Sequence, residues 1–472
     1  MQAPELTGKE KLEEVGRLVD QLEQDLSEKK LLSSQKVKAL LALRQYGTKP
    51  ENADPIYSQR GINVLSKYGL EGETSDIRRA ALRCIANALL LNSDMRQIFV
   101  DTGYGPKLVA LLRTDNSEDE MIVSRILFLT TYDTNMDFDA LIRKHSLGDH
   151  INYQIARHSK LFQKSGGKKY SQIDELALTD TLKLVFNIAK LYADLAETFT
   201  PSIPHLFKII SRIDIPERPL DGLIGYIINA LSTLDLEEKP GRFESSPLFP
   251  KLNQQNSNVD KLINILDVAV SVYSPEDLEA KAVPLLHLLI TMYELAPDGP
   301  KKYMQWLLLP EENDRSVPIG RSDTLASKLL RLSTSHNMHL KTAISELMFV
   351  LSGKNAENLT KNIGYGFAAG FLASRGLEIP KNAGEAFATN PTDGSGGFDP
   401  DINPITGQRW DAEPKDEGPP MSKEEKEREA ERLFVLFERA RQNGFIKEHP
   451  VAQAVREGRI QELPDSEDDD SD

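Results

Sequence analysis

Apolar residues recur at i, i+3, i+4 and i+7 in almost every segment from about Lys9 to Leu377, and two-residue alternation never persists beyond a few positions. That period belongs to amphipathic helices, because 3.6 residues per turn gathers such positions onto one face. Asp76 to Leu91 puts Ile77, Ala80, Ala81, Cys84, Ile85 and Leu89 on one side, and Glu175 to Tyr192 does so with Leu176, Leu182, Val185, Phe186 and Ile188. Gly, Pro, Asn and Asp separate the helices at Gly47-Thr48-Lys49-Pro50, Thr200-Pro201-Ser202 and Ala296-Pro297-Asp298-Gly299-Pro300. The pattern predicts an all-α body with mostly short loops.

A polar slot repeats inside the apolar runs. It holds Asn in Cys84-Ile85-Ala86-Asn87-Ala88-Leu89, Leu184-Val185-Phe186-Asn187-Ile188-Ala189 and Tyr226-Ile227-Ile228-Asn229-Ala230-Leu231. Arg125-Ile126-Leu127-Phe128-Leu129-Thr130-Thr131 is a further copy with Thr130 in the slot, and Pro284-Leu285-Leu286-His287-Leu288-Leu289 follows. The intervals are 43 residues from 87 to 130, 57 to 187, 42 to 229 and 58 to His287. Helical units of about 40 to 47 residues, some lengthened by insertions, are the mark of armadillo or HEAT arrays. Residues 1–380 are thus predicted to form a helical-repeat solenoid whose inner face is the binding surface.

The character changes after Leu377. Ala388 to Pro420 holds five Gly and six Pro in 33 residues, so 381–420 reads as a flexible linker. Ser422-Lys423-Glu424-Glu425 then offers an N-cap Ser with Glu at N3, opening a helix to about Arg441 with Ala430, Leu433, Phe434 and Phe437 on one side. This amphipathic segment covers 421–460, and 461–472 is an acidic tail expected to be disordered.

Charge and cysteine content narrow the function classes. The net charge is −15, and residues 381–472 carry 12 Lys+Arg against 23 Asp+Glu, leaving 45 against 49 for residues 1–380. No basic patch grows from Arg78-Arg79 or Lys168-Lys169, so nucleic acid is a poor partner and protein a better one. Cys84 alone supports neither a disulfide nor a Cys-based zinc site and points to a reducing compartment such as the cytoplasm. The longest apolar run, Ala282 to Ala296, contains His287 and Glu294, and no transmembrane segment is expected.

Catalytic constellations are absent from the sequence. His336 and His339 lie one turn apart with no third ligand beside them, and neither a Gly-x-Ser-x-Gly elbow nor a Gly-x-x-x-x-Gly-Lys-Ser/Thr loop occurs. Gly364-Tyr365-Gly366-Phe367-Ala368-Ala369-Gly370 lacks the strand and spacing of a dinucleotide fingerprint and reads as close helix packing. No metal, cofactor or covalent chemistry is expected. The slot asparagines have two readings: each amide ties down neighbouring backbone, or each faces a partner. Arg83 and Lys183 precede Asn87 and Asn187 by four residues, presenting a cation beside an amide on one helix face, where a carboxylate or chain terminus could dock. Armadillo carriers of basic peptides use Trp at that preceding position; here it holds Arg83, Lys183 and Gly225, which disfavours basic-peptide cargo.

Six segments in order resemble the synembryn family of exchange factors and folding chaperones for heterotrimeric G-protein α subunits. They are Leu82-Arg83-Cys84-Ile85-Ala86-Asn87; Arg125-Ile126-Leu127-Phe128-Leu129-Thr130; Leu182-Lys183-Leu184-Val185-Phe186-Asn187-Ile188; Gly364 to Leu377; Ile402-Asn403-Pro404-Ile405-Thr406-Gly407; and Met421 to Ala430. The resemblance implies an armadillo-like solenoid, acting as a monomer, whose concave face takes the C-terminal helix of a GDP-bound or nucleotide-free α subunit. It carries groove roles to Arg44, Asn87, Phe128 and Asn187. Arg83 and Lys183 join them by spacing, with Phe186 and Asn229 beside them; Leu433, Phe434 and Phe437 have two readings, a cap folded back on the solenoid or a second contact that clamps the GTPase domain. It further implies a cytoplasmic protein recruited to the plasma membrane through its partner. Where family members carry an acidic Ser/Thr-bearing phosphorylation segment, Asn390 to Pro400 is Gly/Pro-rich; Ser466 before Glu467-Asp468-Asp469-Asp470 offers an alternative phosphorylation site for an acid-directed kinase, against the reading of the tail as plain solubilising sequence. The reading from another class is a helical-repeat scaffold or adaptor without exchange activity.

Overall fold

Short polar side chains set the helix starts by accepting backbone N–H groups that the first turn leaves without partners. Thr74 accepts from Ile77, Asn116 from Glu118 and Asp119, and Ser171 from Asp174. They open helices Ser75–Leu91, Ser117–Leu129 and Gln172–Leu191. The apolar faces expected near Asp76–Leu91 and Glu175–Tyr192 are buried, apart from Leu176, which is exposed, and Phe186, which is half-buried.

The computed structural model describes residues 6–165, 170–237, 239, 246–250, 254–377, 401–403, 406–413, 422–442 and 456. In chain order its helices are α1 (Gly8–Glu28), α2 (Ser33–Tyr46), α3 (Gln59–Glu71), α4 (Ser75–Leu91), α5 (Asp94–Asp101), α6 (Gly105–Leu111) and α7 (Ser117–Leu129). Then come α8 (Phe138–His145), α9 (Leu147–Ser165), α10 (Gln172–Leu191), α11 (Ile203–Ile210), α12 (Leu223–Leu231), α13 (Ser257–Val272) and α14 (Pro275–Lys281). The last are α15 (Val283–Leu295), α16 (Asp298–Leu308), α17 (Leu325–Leu332), α18 (Met338–Leu351), α19 (Ala356–Ile363) and α20 (Tyr365–Ser374). Thr200-Pro201-Ser202 is not an open loop: it ends a 3-10 helix, Ala193–Ser202, that runs directly into α11. No strand occurs among the described residues.

Seven of these helices, α2, α4, α7, α10, α12, α15 and α18, pack each against the next to form one continuous row. A covering layer lies on the row, with α3 on α4, α9 on α10, α13 on α15 and α17 on α18. One apolar core runs through both layers from Val15 to Leu372. Stacking units that each cover a neighbour's apolar face is the physical basis of a helical-repeat array. The recurring slot maps onto the row: Asn87 in α4, Thr130 just past α7, Asn187 in α10, Asn229 in α12 and His287 in α15.

Gly225 explains why the position before Asn229 carries no cation. A Cβ there would come within 2.3 Å of the Leu220 carbonyl oxygen, and backbone cannot move aside as a side chain can.

The helical unit extends beyond residue 380, to Glu413. Arg315, buried at 9 % exposure, donates to the Gly407 carbonyl at 3.0 Å and to the Lys361 and Asn362 carbonyls at 3.1 and 3.2 Å. Arg409 N donates back to Arg315 O, Ile319 N to Thr406 O, and Gln408 Nε2 to Ser316 O. Gly407 sits at φ +66° with no room for a Cβ, which would fall 2.2 Å from Ile319 Cδ1. Residues 401–403 and 406–413 of the stretch expected as a linker are thus pinned, by partners in 315–319 that no local pattern near 407 could announce. The rest of that stretch lies outside the described residues.

Residues 414–472 form a second unit. It holds the expected helix, Lys423–Gln442. The expected capping box is present: Glu425 N donates to Ser422 Oγ at 3.2 Å and Ser422 N to Glu425 Oε2 at 3.1 Å. Ser466 and the acidic tail lie outside the described residues. No helix among the described residues is long and apolar enough to cross a membrane.

Candidate functional site

Apart from the buried Asn187, the candidate residues on the row helices are half-buried or exposed. On α4, Arg79, Arg83 and Asn87 follow one another at four-residue spacing. Arg79 pairs with Asp119, through Nε at 2.5 Å and Nη2 at 2.9 Å, and Arg83 pairs with Glu118, so both cations reach from α4 to the first turn of α7. Burial, and then the like charges of Arg44 and Arg79, holds the Arg83 guanidinium below its usual pKa. Arg44, exposed on α2, therefore belongs to the same field as Arg83. The result is a basic edge spanning α2 and α4, only partly neutralised by the acids of α7.

The next three row helices build a cradle around one cation. Lys183 Nζ on α10 lies 5.7 Å from the centre of the Phe128 ring on α7 and 5.0 Å from that of Tyr226 on α12. Both distances fall within the range where a ring's negative face attracts a cation. Phe128 also meets Tyr132 edge-on at 5.3 Å, and Arg96 lies over Tyr132 at 5.6 Å. Lys183 Nζ is 3.4 Å from Asp180 Oδ1, and Asp180 Oδ2 accepts from Arg125 at 2.8 and 2.9 Å. Two cations facing one carboxylate leave the cradle positive. Phe186, one turn further round α10, instead faces Lys190 at 5.4 Å.

The slot asparagines divide. Asn187 is 8 % exposed and its Nδ2 donates to Thr131 Oγ1 at 2.7 Å, so that amide is tied to the preceding repeat. Asn87 and Asn229 are half-buried and make no side-chain hydrogen bond among the described residues. Sequence reasoning missed Tyr226, Asp180 and Arg125. Tyr226 lay three residues before Asn229, and only the packing of α10 on α12 brings it to Lys183. On the second unit, Leu433 and Phe434 are exposed and Phe437 half-buried. No group of three or more His, Cys, Asp or Glu suited to a metal occurs among the described residues.

A family profile described as guanine nucleotide exchange factor synembryn, Ric8, matches residues 39–459. The chain belongs to the Ric8 family. The match runs through the basic edge, the cradle and the pinned residues 401–403 and 406–413, and into the Lys423–Gln442 helix. Among curated Ric8 relatives, a protein from Macaca fascicularis named Chaperone Ric-8A is 25 % identical over 478 residues, covering 95 % of this chain and 87 % of that one. A Schizosaccharomyces pombe protein named Synembryn-like chaperone C3E7.04c is 26 % identical over 371 residues, covering 75 % and 68 %. Among solved structures, a designed armadillo repeat protein is 15 % identical with a TM-score of 0.38, covering 59 % of this chain and 99 % of that one. Ric8 membership makes the chain an exchange factor and chaperone and not a catalyst of covalent chemistry.

Proposed function

We propose that this Ric8 protein binds the C-terminal helix of a G-protein α subunit along the uncovered flank of its helix row, and thereby releases GDP and shelters the empty subunit. The observation that supports this reading most is the Phe128–Lys183–Tyr226 cradle, a cation framed by two rings across three successive row helices. With the Arg44–Arg83 edge, it offers positive charge to an acidic or carboxylate-bearing terminus, and the free amides of Asn87 and Asn229 offer hydrogen bonds. Exchange follows from differential binding. If the flank binds the partner's terminal helix better when that helix is detached from the GTPase core, the difference in affinity shifts the partner toward its nucleotide-free state. A coupling of about 1–3 kcal/mol is typical of such linkage. Leu433, Phe434 and Phe437 add a second contact on the partner, which raises the total. Reciprocity then requires GTP binding to expel the Ric8 protein.

The family's description as an exchange factor and its relatives' names as chaperones both fit one surface that prefers an empty GTPase. The test is GDP release from a purified α subunit, intact or truncated before its C-terminal helix, with and without this protein. Accelerated release from the intact subunit alone is expected, and unchanged release from it ends the exchange reading. A scaffold without exchange activity predicts tight binding whose affinity is the same for the GDP-bound and empty subunit.

A further inference from the structure

We propose that Asp180 is a positioning residue for the cradle, aiming Lys183 between Phe128 and Tyr226; the proposal rests on the groove reading above. Consecutive residues of α10 bond consecutive residues of α7. Asp180 Oδ2 accepts from Arg125 Nε at 2.9 Å and Nη2 at 2.8 Å, while Thr181 Oγ1 and Ser124 Oγ lie 2.9 Å apart. Neighbouring residues on a helix point about 100° apart. One rung therefore faces the groove and the other the interior, and together they fix the rotation of α10 against α7 as well as the spacing. The inner rung has deep support: Thr181 donates to Glu120 Oε1 at 2.8 Å, and that fully buried carboxylate also accepts from His158 Nε2 at 2.8 Å and pairs with Arg157.

Asp180 joins this frame to the cation. It is 3 % exposed, its Oδ2 is held by Arg125, and its Oδ1 lies 3.4 Å from Lys183 Nζ one turn along. A lysine stem has free rotors and no fixed direction of its own. A carboxylate that is itself immobile supplies that direction. Because Arg125 and Lys183 share Asp180, the cradle also keeps net positive charge for an incoming carboxylate.

The probe is a fluorescent peptide of the last 18 or so residues of a G-protein α subunit, with a free or an amidated C-terminus. It is titrated onto the full-length protein, and each variant's fold is checked by circular dichroism. Asp180→Asn keeps the volume and an acceptor for Arg125 but removes the charge that draws Lys183. It is expected to weaken binding of the free-acid peptide by about five- to tenfold, and by less than about twofold once Lys183→Met is present, as coupled neighbours require. Equal losses in both backgrounds, or undiminished affinity of Asp180→Asn, overturn the proposal. If Asp180→Asn does not fold, Asp180→Glu decides. Its carboxylate sits one methylene further out, so it is expected to lose about two- to fivefold only when Lys183 is present, and an unchanged affinity overturns the proposal. Thr181→Val cuts only the inner rung and is expected to lower the melting temperature while leaving the 180–183 coupling intact; loss of that coupling would assign the effect to general loosening. If Lys183→Met alone leaves affinity unchanged, the groove reading itself has failed. A loss in Lys183→Met with none in Asp180→Asn rejects the positioning role alone.

Discussion

The α2–α4 contact and the α7–α10 contact carry the same sequence slot and solve opposite problems. Between α2 and α4 the packing is apolar: Leu40, Leu43, Ala80, Ala81, Cys84 and Ala88 are buried, with the Cys84 thiol donating to Leu40 O at 3.3 Å. Asn87 at its margin bonds nothing among the described residues. Between α7 and α10 the packing is locked by polar groups, namely Glu120 to Thr181, Ser124 to Thr181, Arg125 to Asp180 and Asn187 to Thr131. An amide sealed inside must have a partner, whereas one at the rim can wait for a ligand. Thr131 is 8 % exposed and sits two residues beyond α7; the corresponding residues beyond α2 and α10 are the exposed Thr48 and Ala193, which has no hydroxyl. One recurring letter therefore ties two repeats together in one place and makes no side-chain hydrogen bond among the described residues in another.

The sharpest test of this contrast is to remove the carboxylate buried behind the α7–α10 interface and, for comparison, the half-exposed one at the α4–α7 contact. Glu120→Ala strands Arg157 and His158 in the interior and is expected to cost about 3–5 kcal/mol in urea denaturation. Glu118→Ala, at the half-exposed Arg83 pair, is expected to cost about 0–1 kcal/mol. Similar losses for both would erase the distinction between a sealed and an open interface.

The asparagines provide the next test. Asn187→Ala is expected to destabilise by about 0.5–1.5 kcal/mol, because the buried hydrogen bond to Thr131 Oγ1 is lost while that hydroxyl still donates to Phe128 O. Asn87→Ala is expected to stay within about 0.5 kcal/mol of the parent and to show its effect as weaker binding of the α-subunit peptide. An Asn87→Ala protein as unstable as Asn187→Ala would make Asn87 structural after all.

The apolar interface has its own probe in the single cysteine. Burial pushes the Cys84 thiol up to about 12, so almost no thiolate is present at pH 8 in the folded chain. Reaction with a thiol reagent is expected to be at least tenfold slower than in urea-unfolded protein, and its rate reports opening of α2 from α4. Fast labelling of folded protein would show that this interface breathes. The smallest effect concerns Asp221, whose carboxyl Lys281 first and then Arg218 hold down at about 2. A depressed carboxylate contributes stability above its unfolded pKa near 4 that is lost as pH falls toward 2. Asp221→Asn should flatten that part of the stability profile slightly, the pairs being exposed.

The helices, their order, the polar slot and the capping box at Ser422 were legible in the sequence, because period, N-caps and breakers act over a few residues. The candidate surface was legible in part. Arg44, Arg83, Asn87, Phe128, Lys183, Phe186 and Asn229 all fall on row helices, as a four-residue cation-to-amide spacing suggests. What the sequence left open is what depends on a neighbour tens of residues away. Gln172 to Leu191 determines a helix with Lys183 at its flank, but Tyr226 reaches Lys183 only because α12 packs on α10, and Asn187 is spent only because Thr131 lies just beyond the end of α7. Likewise Arg315 holds Gly407 across a separation of 92 residues and draws 401–413 into the helical unit. Local periodicity sets each helix, since its hydrogen bonds close within the helix; partnership is decided by packing, since which side chains meet depends on the register and rotation of helices that no short stretch of chain encodes.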